Sequence, residues 1–192
     1  MSTKLHLFVP GRICLFGEHS DWAGQYRQNN VISDDIIKPG YTIVCGTNQG
    51  IYAYVSPHPN KLIVKTIDHN NKEYNFESNM DINKLRNIAV KGDNFFSYIA
   101  GVGYQILSRY HVGGLIINNY RTTLPIKKGL SSSAAICVLI ARAFNKIYDL
   151  KLNLEGEMDL AYLGEITTPS QCGRMDQYCA YGNRPVLVKF DG

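Results

Sequence analysis

The sequence lacks several features that would assign it to a common class of protein. Its five cysteines form no C-x-x-C pair, so neither a zinc site nor a disulfide framework is indicated. No stretch of about 18 apolar residues is present, and the N-terminus MSTKLHLFVP lacks the sections of a secretory signal. The charged residues form no dense run of one sign, which argues against nucleic acid as a partner. We therefore expect a cytoplasmic protein with reduced, mostly buried thiols and no membrane partner.

What the chain does have is enough apolar sequence for one substantial core. Its 192 residues are 45% hydrophobic and 11% aromatic, without an internal repeat or a low-complexity tract. The formal net charge is +4. That charge indicates only a mild attraction for anionic ligands, whereas the length and the apolar content predict a single domain of ordinary size.

The first third of the sequence is typical of extended chain. Two short β-prone runs, 6–9 and 13–16, flank the turn-forming pair Pro10-Gly11, which predicts two strands separated by a break. Residues 41–45, 51–55 and 62–67 are rich in Tyr, Ile, Val and Thr and are bounded by Gly, Asn or Pro. These runs predict a sheet that is built from hairpins.

Helical periodicity appears in the second half. Apolar residues recur at helical spacing in 94–110, residues 134–148 contain no Gly or Pro, and a further helical pattern covers 155–165. Serines 131–133 would supply capping hydroxyls to the middle helix. With strands at 115–117 and 185–190, the chain is predicted to be α+β, with helices on one face of a mainly antiparallel sheet.

The first candidate site is the segment IKKGLSSSAA at 126–135, which opens directly onto the middle helix. Helix N-termini bind anions because their first N–H groups have no intrahelical partner and the macrodipole is positive there. The segment is not a Walker A motif, since it has no G-K-[ST] ending. It therefore predicts a phosphate site, although the serines could simply cap the helix.

Two further segments carry polar groups beside apolar ones. In PGRICLFGEHSD at 10–21, Arg, Glu, His and Asp follow a strand, and such groups can bind sugar hydroxyls or a phosphoryl group. In GRMDQY at 173–178, the single Asp could orient or deprotonate a hydroxyl. Taken singly, the first segment is more typical of a solvated loop and the second of an ordinary turn.

The three segments together, in this order, resemble the GHMP kinases, named for galactokinase, homoserine kinase, mevalonate kinase and phosphomevalonate kinase. Residues 10–21 are similar to the galactokinase signature that opens Pro-Gly-Arg and closes Gly-Glu-His-Thr-Asp. Residues 125–135 resemble the family's phosphate loop, and residues 173–177 resemble the segment with its catalytic Asp. The resemblance implies a ribosomal protein S5 domain 2-like fold for residues 1–192, as in the N-terminal domain of these kinases.

The resemblance also implies a role for individual residues in Mg·ATP-dependent phosphorylation of a sugar hydroxyl. Asp176 would be the catalytic base or orienter, and Arg12 would stabilise developing charge; both would also contact the substrate. Glu18, His19 and Asp21 match the sugar-contacting cluster of galactokinases. Ser133 and Glu165 match Mg²⁺ ligands. The ATP-binding segment comprises Lys127, Lys128, Gly129, Leu130, Ser131, Ser132, Ser133 and Ala134.

The chain departs from the family in two ways. Lys127 stands where galactokinase loops usually carry Gly, which would alter the loop backbone. No counterpart is found of the family's C-terminal domain, so we expect a partner half to be missing from this chain. The alternatives are a mevalonate-type or other GHMP kinase, a non-catalytic sugar or ATP sensor, a truncated half-enzyme, or an interaction domain with relic motifs.

Overall fold

The computed structural model describes residues 4–22, 39–68, 72–125, 129–170 and 172–190. In these ranges the strands are β1 (Leu5–Phe16), β2 (Gly40–His58), β3 (Lys61–Ile67), β4 (Glu73–Asn79), β5 (Gly114–Thr122) and β6 (Val186–Phe190). The helices are α1 (Ile82–Lys91), α2 (Phe96–Leu107), α3 (Ser132–Tyr148) and α4 (Leu154–Ile166). Two 3-10 helices cover Ser20–Trp22 and Asp176–Tyr181.

The strands form one mixed sheet in the order β1-β2-β5-β3-β4, and β6 pairs with the first part of β2. Only the pairing of β3 with β5 is parallel among the pairs of the described strands. Helix α3 packs against β1 and β2, and α2 and α4 pack against α3. The predicted α+β arrangement, with a mainly antiparallel sheet, is confirmed.

Helix α3 lies at the centre of the helical layer. Every residue from Ala134 to Ala141 is buried, and the large side chain of Phe144 is fully buried as well. A helix that is apolar around most of its circumference must be covered on several sides. The start of α3 is therefore held at a fixed position against β1, which matters for the site described below.

The structure corrects the prediction of two strands separated at Pro10-Gly11. Residues Leu5–Phe16 are one strand, in which Pro10 pairs with Gly50 and Arg12 pairs with Gly46. Between these two pairs, residues 47–49 of β2 lie opposite the single residue Gly11 of β1, so the bulge that absorbs the irregularity is in β2. Likewise, 41–45 and 51–55 are parts of the single strand β2, not two strands of a hairpin.

Strand β4 and helix α1 were not predicted. The residues of β4, EYNFESN, are mostly polar, and only Phe76 and Ser78 are buried. Helix α1 buries Leu85 and Ala89. Its N-cap is Asp81, whose carboxylate accepts a hydrogen bond from the Lys84 N–H at 2.7 Å. The periodic signal of α1 is thus limited to two buried positions.

A buried polar network connects two helices to the second 3-10 helix. Arg142 on α3 donates from Nε to Glu157 on α4 at 2.8 Å and from Nη2 to the carbonyl of Ala180 at 3.1 Å. Asn145 donates to the other Glu157 oxygen at 2.8 Å. The network fixes the short helix that carries Asp176 relative to the helical layer.

The five cysteines are all free thiols. Cys137 and Cys179 are buried, whereas the other three are half-buried. None of the helices in the described ranges combines the length and hydrophobicity that a membrane-spanning helix requires.

Candidate functional site

A cleft of about 710 Å³ opens where β1, the start of α3 and the second 3-10 helix meet. One wall carries Arg12, Glu18 and Asp176, the floor carries 129–133, and the opposite wall comes from 92–98 and 168–170. A cleft of this size suits a small-molecule ligand. All three segments that the sequence singled out contribute to its lining.

An ion pair between Arg12 and Asp176 forms the polar centre of the cleft. The Arg12 Nη2 atom donates to the Asp176 carboxylate across 164 positions of sequence, and Nη1 lies 3.6 Å from Glu18 Oε1. The Arg12 side chain is 6% exposed and that of Asp176 is 27% exposed. The guanidinium is therefore held in place, while the carboxylate remains accessible from the cleft.

Close contact between β1 and the loop before α3 requires the glycine of the Pro-Gly-Arg segment. A Cβ atom at Gly11 would lie 2.4 Å from Leu124 Cδ2 and 2.9 Å from the Leu130 carbonyl oxygen. The next residue, Arg12, donates its backbone N–H to that same carbonyl at 3.2 Å. The strand and the loop are thus joined directly beside the guanidinium.

The loop before α3 has an unusual backbone. Gly129 and Ser131 have φ values of 73° and 55°, in the left-handed region. Ser131 occupies the N-cap position, yet it makes no side-chain cap hydrogen bond and its buried hydroxyl has no partner. The expectation that Ser131 caps the helix through its hydroxyl is therefore wrong, because the left-handed backbone at this position precludes ordinary N-cap geometry.

The same loop leaves a helix N-terminus facing the cleft. Ser131, Ser132 and Ser133 line it, whereas Ala134 is fully buried and is not part of the lining. An anion at this position would meet first-turn N–H groups and the positive end of a 17-residue helix. The predicted contributions of Lys127 and Lys128 lie outside the described residues.

Glu165 lies beneath this loop and not in the cleft. The carboxylate is 1% exposed and accepts hydrogen bonds from the Ser133 hydroxyl and, at 2.9 Å, from Gln177 Nε2. Burial raises the pKa of Glu165 from 4.5 to about 6, and the nearby charge of Asp176 adds to that effect. A hydroxyl and a carboxylate fit Mg²⁺, which typically takes few protein ligands beside phosphate oxygens and water.

The three polar residues after β1 are placed differently. Glu18 is exposed and lines the cleft. His19 is exposed in a turn with φ of 66°, and it is not part of the lining. Asp21 is buried and also outside the lining; its carboxylate contacts the loop that carries Asp176. Only Glu18 of the three faces the cleft directly.

The sequence analysis missed the opposite wall of the cleft. Asn94, Phe95 and Tyr98 lie there at the start of α2, with Pro169 and Ser170 beyond the end of α4. Asn94 accepts a hydrogen bond from the Phe96 N–H at 2.9 Å, and Phe95 is 38% exposed. An aromatic residue beside a capping Asn was the available signal, but it is also typical of an ordinary helix start.

Unmet hydrogen-bonding capacity is concentrated around the cleft. In the part of the chain that the structure describes, five buried side-chain polar atoms have no partner. Four of them belong to the site segments: Arg12 Nε, Asp21 Oδ1, Ser131 Oγ and Gln177 Oε1. Because buried polar atoms are normally satisfied, such a cluster is typical of a binding or catalytic site.

Comparison with known proteins points to one family. A family model described as "GHMP kinases N terminal domain" matches residues 97–183. Galactokinase from Thermococcus kodakarensis is 28% identical over 196 residues, covering 97% of this chain and 47% of the relative. Galactokinase from Pyrococcus furiosus is 27% identical over 194 residues, covering 98% and 47%.

Solved structures show the same fold. The mevalonate kinase of Methanococcus jannaschii superimposes with a TM-score of 0.71 at 19% identity, over 99% of this chain and 55% of that protein. Lactococcus lactis galactokinase, complexed with galactose, gives 0.66 at 18% identity, over 96% and 47%. The predicted resemblance to GHMP kinases and the predicted fold are confirmed. The chain spans about half the length of the curated relatives it matches.

Proposed function

Because the chain has the fold of a GHMP kinase N-terminal domain, we propose that it binds ATP and a sugar and supplies the residues for phosphoryl transfer to a sugar hydroxyl. The observation that carries this proposal is the Arg12–Asp176 ion pair in a cleft whose floor is a helix N-terminus. An acidic group, a fixed cation and an anion site are the groups that phosphoryl transfer needs close together. The galactokinase relatives favour a sugar as the acceptor.

Asp176 would accept the proton of the acceptor hydroxyl or orient that hydroxyl. Its carboxylate is the accessible member of the ion pair, so a hydroxyl can approach it from the cleft. Arg12 would hold that carboxylate in one orientation and stabilise charge on the transferring group. Glu18, also in the lining, would accept a hydrogen bond from another hydroxyl. The sugar contacts assigned to His19 and Asp21 remain predictions.

The phosphates of ATP would bind across the loop from Gly129 to Ser133. The first-turn N–H groups of a helix are donors for an anion, and the Ser131 hydroxyl beside them has no partner. Mg²⁺, when bound, would neutralise phosphate charge, and Ser133 and Glu165 are the residues that would hold it. The neighbouring wall with Phe95 and Tyr98 offers aromatic surface on which the base of the nucleotide would rest.

The proposal is tested by measuring ligand binding first and catalytic turnover second. Calorimetric titration of the chain with Mg·ATP, and then with galactose, other monosaccharides, uronic acids and mevalonate, measures each affinity without requiring catalysis. ADP release is then measured for every compound that binds. We expect nucleotide and one sugar class to bind, since the residues that we propose to contact them lie within this chain.

Asp176→Asn tests the catalytic role of the carboxylate. Where the chain turns over, this variant should lower kcat by on the order of 10²-fold or more, because a general base contributes about that much. Asp159→Asn is the matched control, since Asp159 is an exposed carboxylate on α4 outside the cleft. The proposal would be contradicted if the wild-type chain bound neither nucleotide nor any of the tested acceptors. It would also be contradicted if Asp176→Asn turned over as fast as the wild-type chain.

A further inference from the structure

Asp21 contacts the protein where the sequence pattern predicts contact with a substrate. Its Oδ2 atom accepts a hydrogen bond from the backbone N–H of Met175 at 3.1 Å, across 154 positions of sequence. Met175 immediately precedes Asp176 in the chain. The Asp21 side chain is buried, with the residue only 7% exposed, and it does not line the cleft. The carboxylate is therefore attached to the backbone next to Asp176.

Gly173 shows how closely the loop surrounds this carboxylate. A Cβ atom at Gly173 would lie 1.8 Å from Asp21 Oδ2 and 2.4 Å from Asp21 Cγ. Real Cβ contacts never reach such distances, so any side chain at Gly173 would displace either the carboxylate or the loop. The glycine is required here for space.

The loop is also held on its other side. The Met175 side chain is 3% exposed and packs in an apolar cluster with Val44, Val188 and Phe190. Its side chain and its backbone N–H are thus fixed by different parts of the fold. The hydrogen bond from Met175 sets the direction in which the next residue leaves the loop.

Keeping Asp21 at this position has a cost that a purely packing role would not explain. Its Oδ1 atom is buried without a partner, and burial raises the pKa of the carboxyl, with Asp176 adding to the effect. Two carboxylates close together repel each other, so an apolar residue would fill the same space with less penalty. What an apolar residue could not do is accept the Met175 N–H.

We propose that Asp21 is a positioning residue, which holds the Met175 N–H and thereby orients Asp176 toward Arg12. Asp21 acts through the loop, and Gly173 gives the loop room to enclose it. This inference rests on the function proposed above for Asp176. Its test, however, measures the coupling between side chains in the absence of any ligand, so it can fail or succeed independently of that function.

The test is a double-mutant cycle on the full 192-residue chain, in which the stability of each variant is measured by thermal unfolding. Asp176→Asn weakens the ion pair with Arg12. In the wild-type background we therefore expect it to lower Tm by about 3 °C or more. In the Asp21→Leu background, Asp176 no longer meets Arg12 correctly, and the same substitution should shift Tm by about 1 °C or less. Residues that merely contribute separately to stability would give additive shifts.

Two further backgrounds keep the test informative if Asp21→Leu fails to fold. Gly173→Ala leaves Asp21 in the chain but displaces it from the loop, so it should abolish the coupling as Asp21→Leu does. Asp21→Asn retains an oxygen that can accept the Met175 N–H, so it should preserve most of the coupling. Asp159→Asn, introduced in place of Asp176→Asn, should be additive in every background.

The inference is overturned by equal Tm shifts for Asp176→Asn with and without Asp21, or by the absence of a shift in the wild-type background. It is also overturned if Asp21→Asn loses the coupling as completely as Asp21→Leu, since the hydrogen bond to Met175 would then not be the cause.

Discussion

The replacement of Ser131 by glycine should stabilise the protein, contrary to the usual effect at the start of a helix. Ser131 occupies the N-cap position of α3, where serine is ordinarily favourable. Here its φ is 55°, its side chain makes no cap hydrogen bond, and its buried hydroxyl lacks a partner. The residue thus carries the costs of a left-handed backbone and a buried polar atom without the benefit of a cap.

The magnitude follows from these terms. A left-handed backbone costs a non-glycine residue about 1–2 kcal/mol, and an unsatisfied buried hydroxyl costs about 1–3 kcal/mol. Glycine loses more conformational freedom on folding, which offsets about 0.5–1 kcal/mol of the gain. We expect Ser131→Gly to raise the free energy of unfolding by about 1 kcal/mol or more, which corresponds to a Tm increase of about 2–4 °C per kcal/mol.

Urea and thermal unfolding measure this change, and two variants separate its causes. Ser131→Ala removes the hydroxyl but keeps the side chain at the left-handed position, so it should recover only the part due to the unpaired hydroxyl. Asn153→Ala is the positive control, because Asn153 does cap α4 by accepting the Gly156 N–H at 2.9 Å. That variant should lose about 1 kcal/mol. A lower free energy of unfolding for Ser131→Gly would refute the reasoning, since Ser131 would then behave as an ordinary cap.

Two other predictions concern buried carboxylates. Because burial raises the pKa of Glu165 from 4.5 to about 6, the folded chain binds a proton more tightly than the unfolded chain. The stability associated with this proton is fully present below about pH 4.5 and is lost as the pH rises through about 6, a decrease of about 2 kcal/mol. Urea titrations from pH 4 to 7 should show this decrease in the wild type, and Glu165→Gln should remove it. Glu157→Leu should lower the free energy of unfolding by about 3 kcal/mol in chemical denaturation, because it leaves the Arg142 charge buried without its partner; a loss below about 1 kcal/mol would show that Arg142 reaches solvent.

Three of the four helices in the described ranges were predictable from the sequence to within a few residues, but α1 was not, and the strands were less predictable. Helix α3 contains a long apolar run without Gly or Pro, and α4 tolerates Gly156 and Gly164 within its helical pattern; tertiary contacts agree with the local preference in both helices. The pair Pro10-Gly11 has the local signature of a break, yet β1 continues through it. The reason is that the bulge lies in β2, the partner strand, and a single-strand pattern contains no information about the irregularities of its partner.

The candidate site was predictable in its residues but not in its contacts. The three motifs named Arg12, Ser133 and Asp176, and the structure brings all of them to one cleft. Arg12 and Asp176 are 164 positions apart in the sequence, and nothing in either segment predicts that they form an ion pair. The resemblance also grouped Asp21 with Glu18, although the two carboxylates face different surroundings in the fold. Sequence neighbours after a strand end are separated by the turn between them, and that turn is set by the packing of the whole domain.

The distribution of unfavourable features within the fold bears on what the cleft is for. Among the described residues, most of the unpaired buried polar atoms and a left-handed serine are found on the segments that form it, whereas the buried polar side chains of Asn145 on α3 and Glu157 on α4 are paired. A chain under selection for stability alone would lose these features first, because each costs on the order of 1 kcal/mol or more. Their concentration at one place, next to a fixed Arg12–Asp176 pair, indicates that the surrounding fold supports an arrangement which is unfavourable by itself. Of the residues that carry these atoms, Arg12 and Ser131 line the cleft, and their N–H and O–H groups are donors of the kind that phosphate oxygens can pair. A ligand that pairs with them would therefore stabilise the protein.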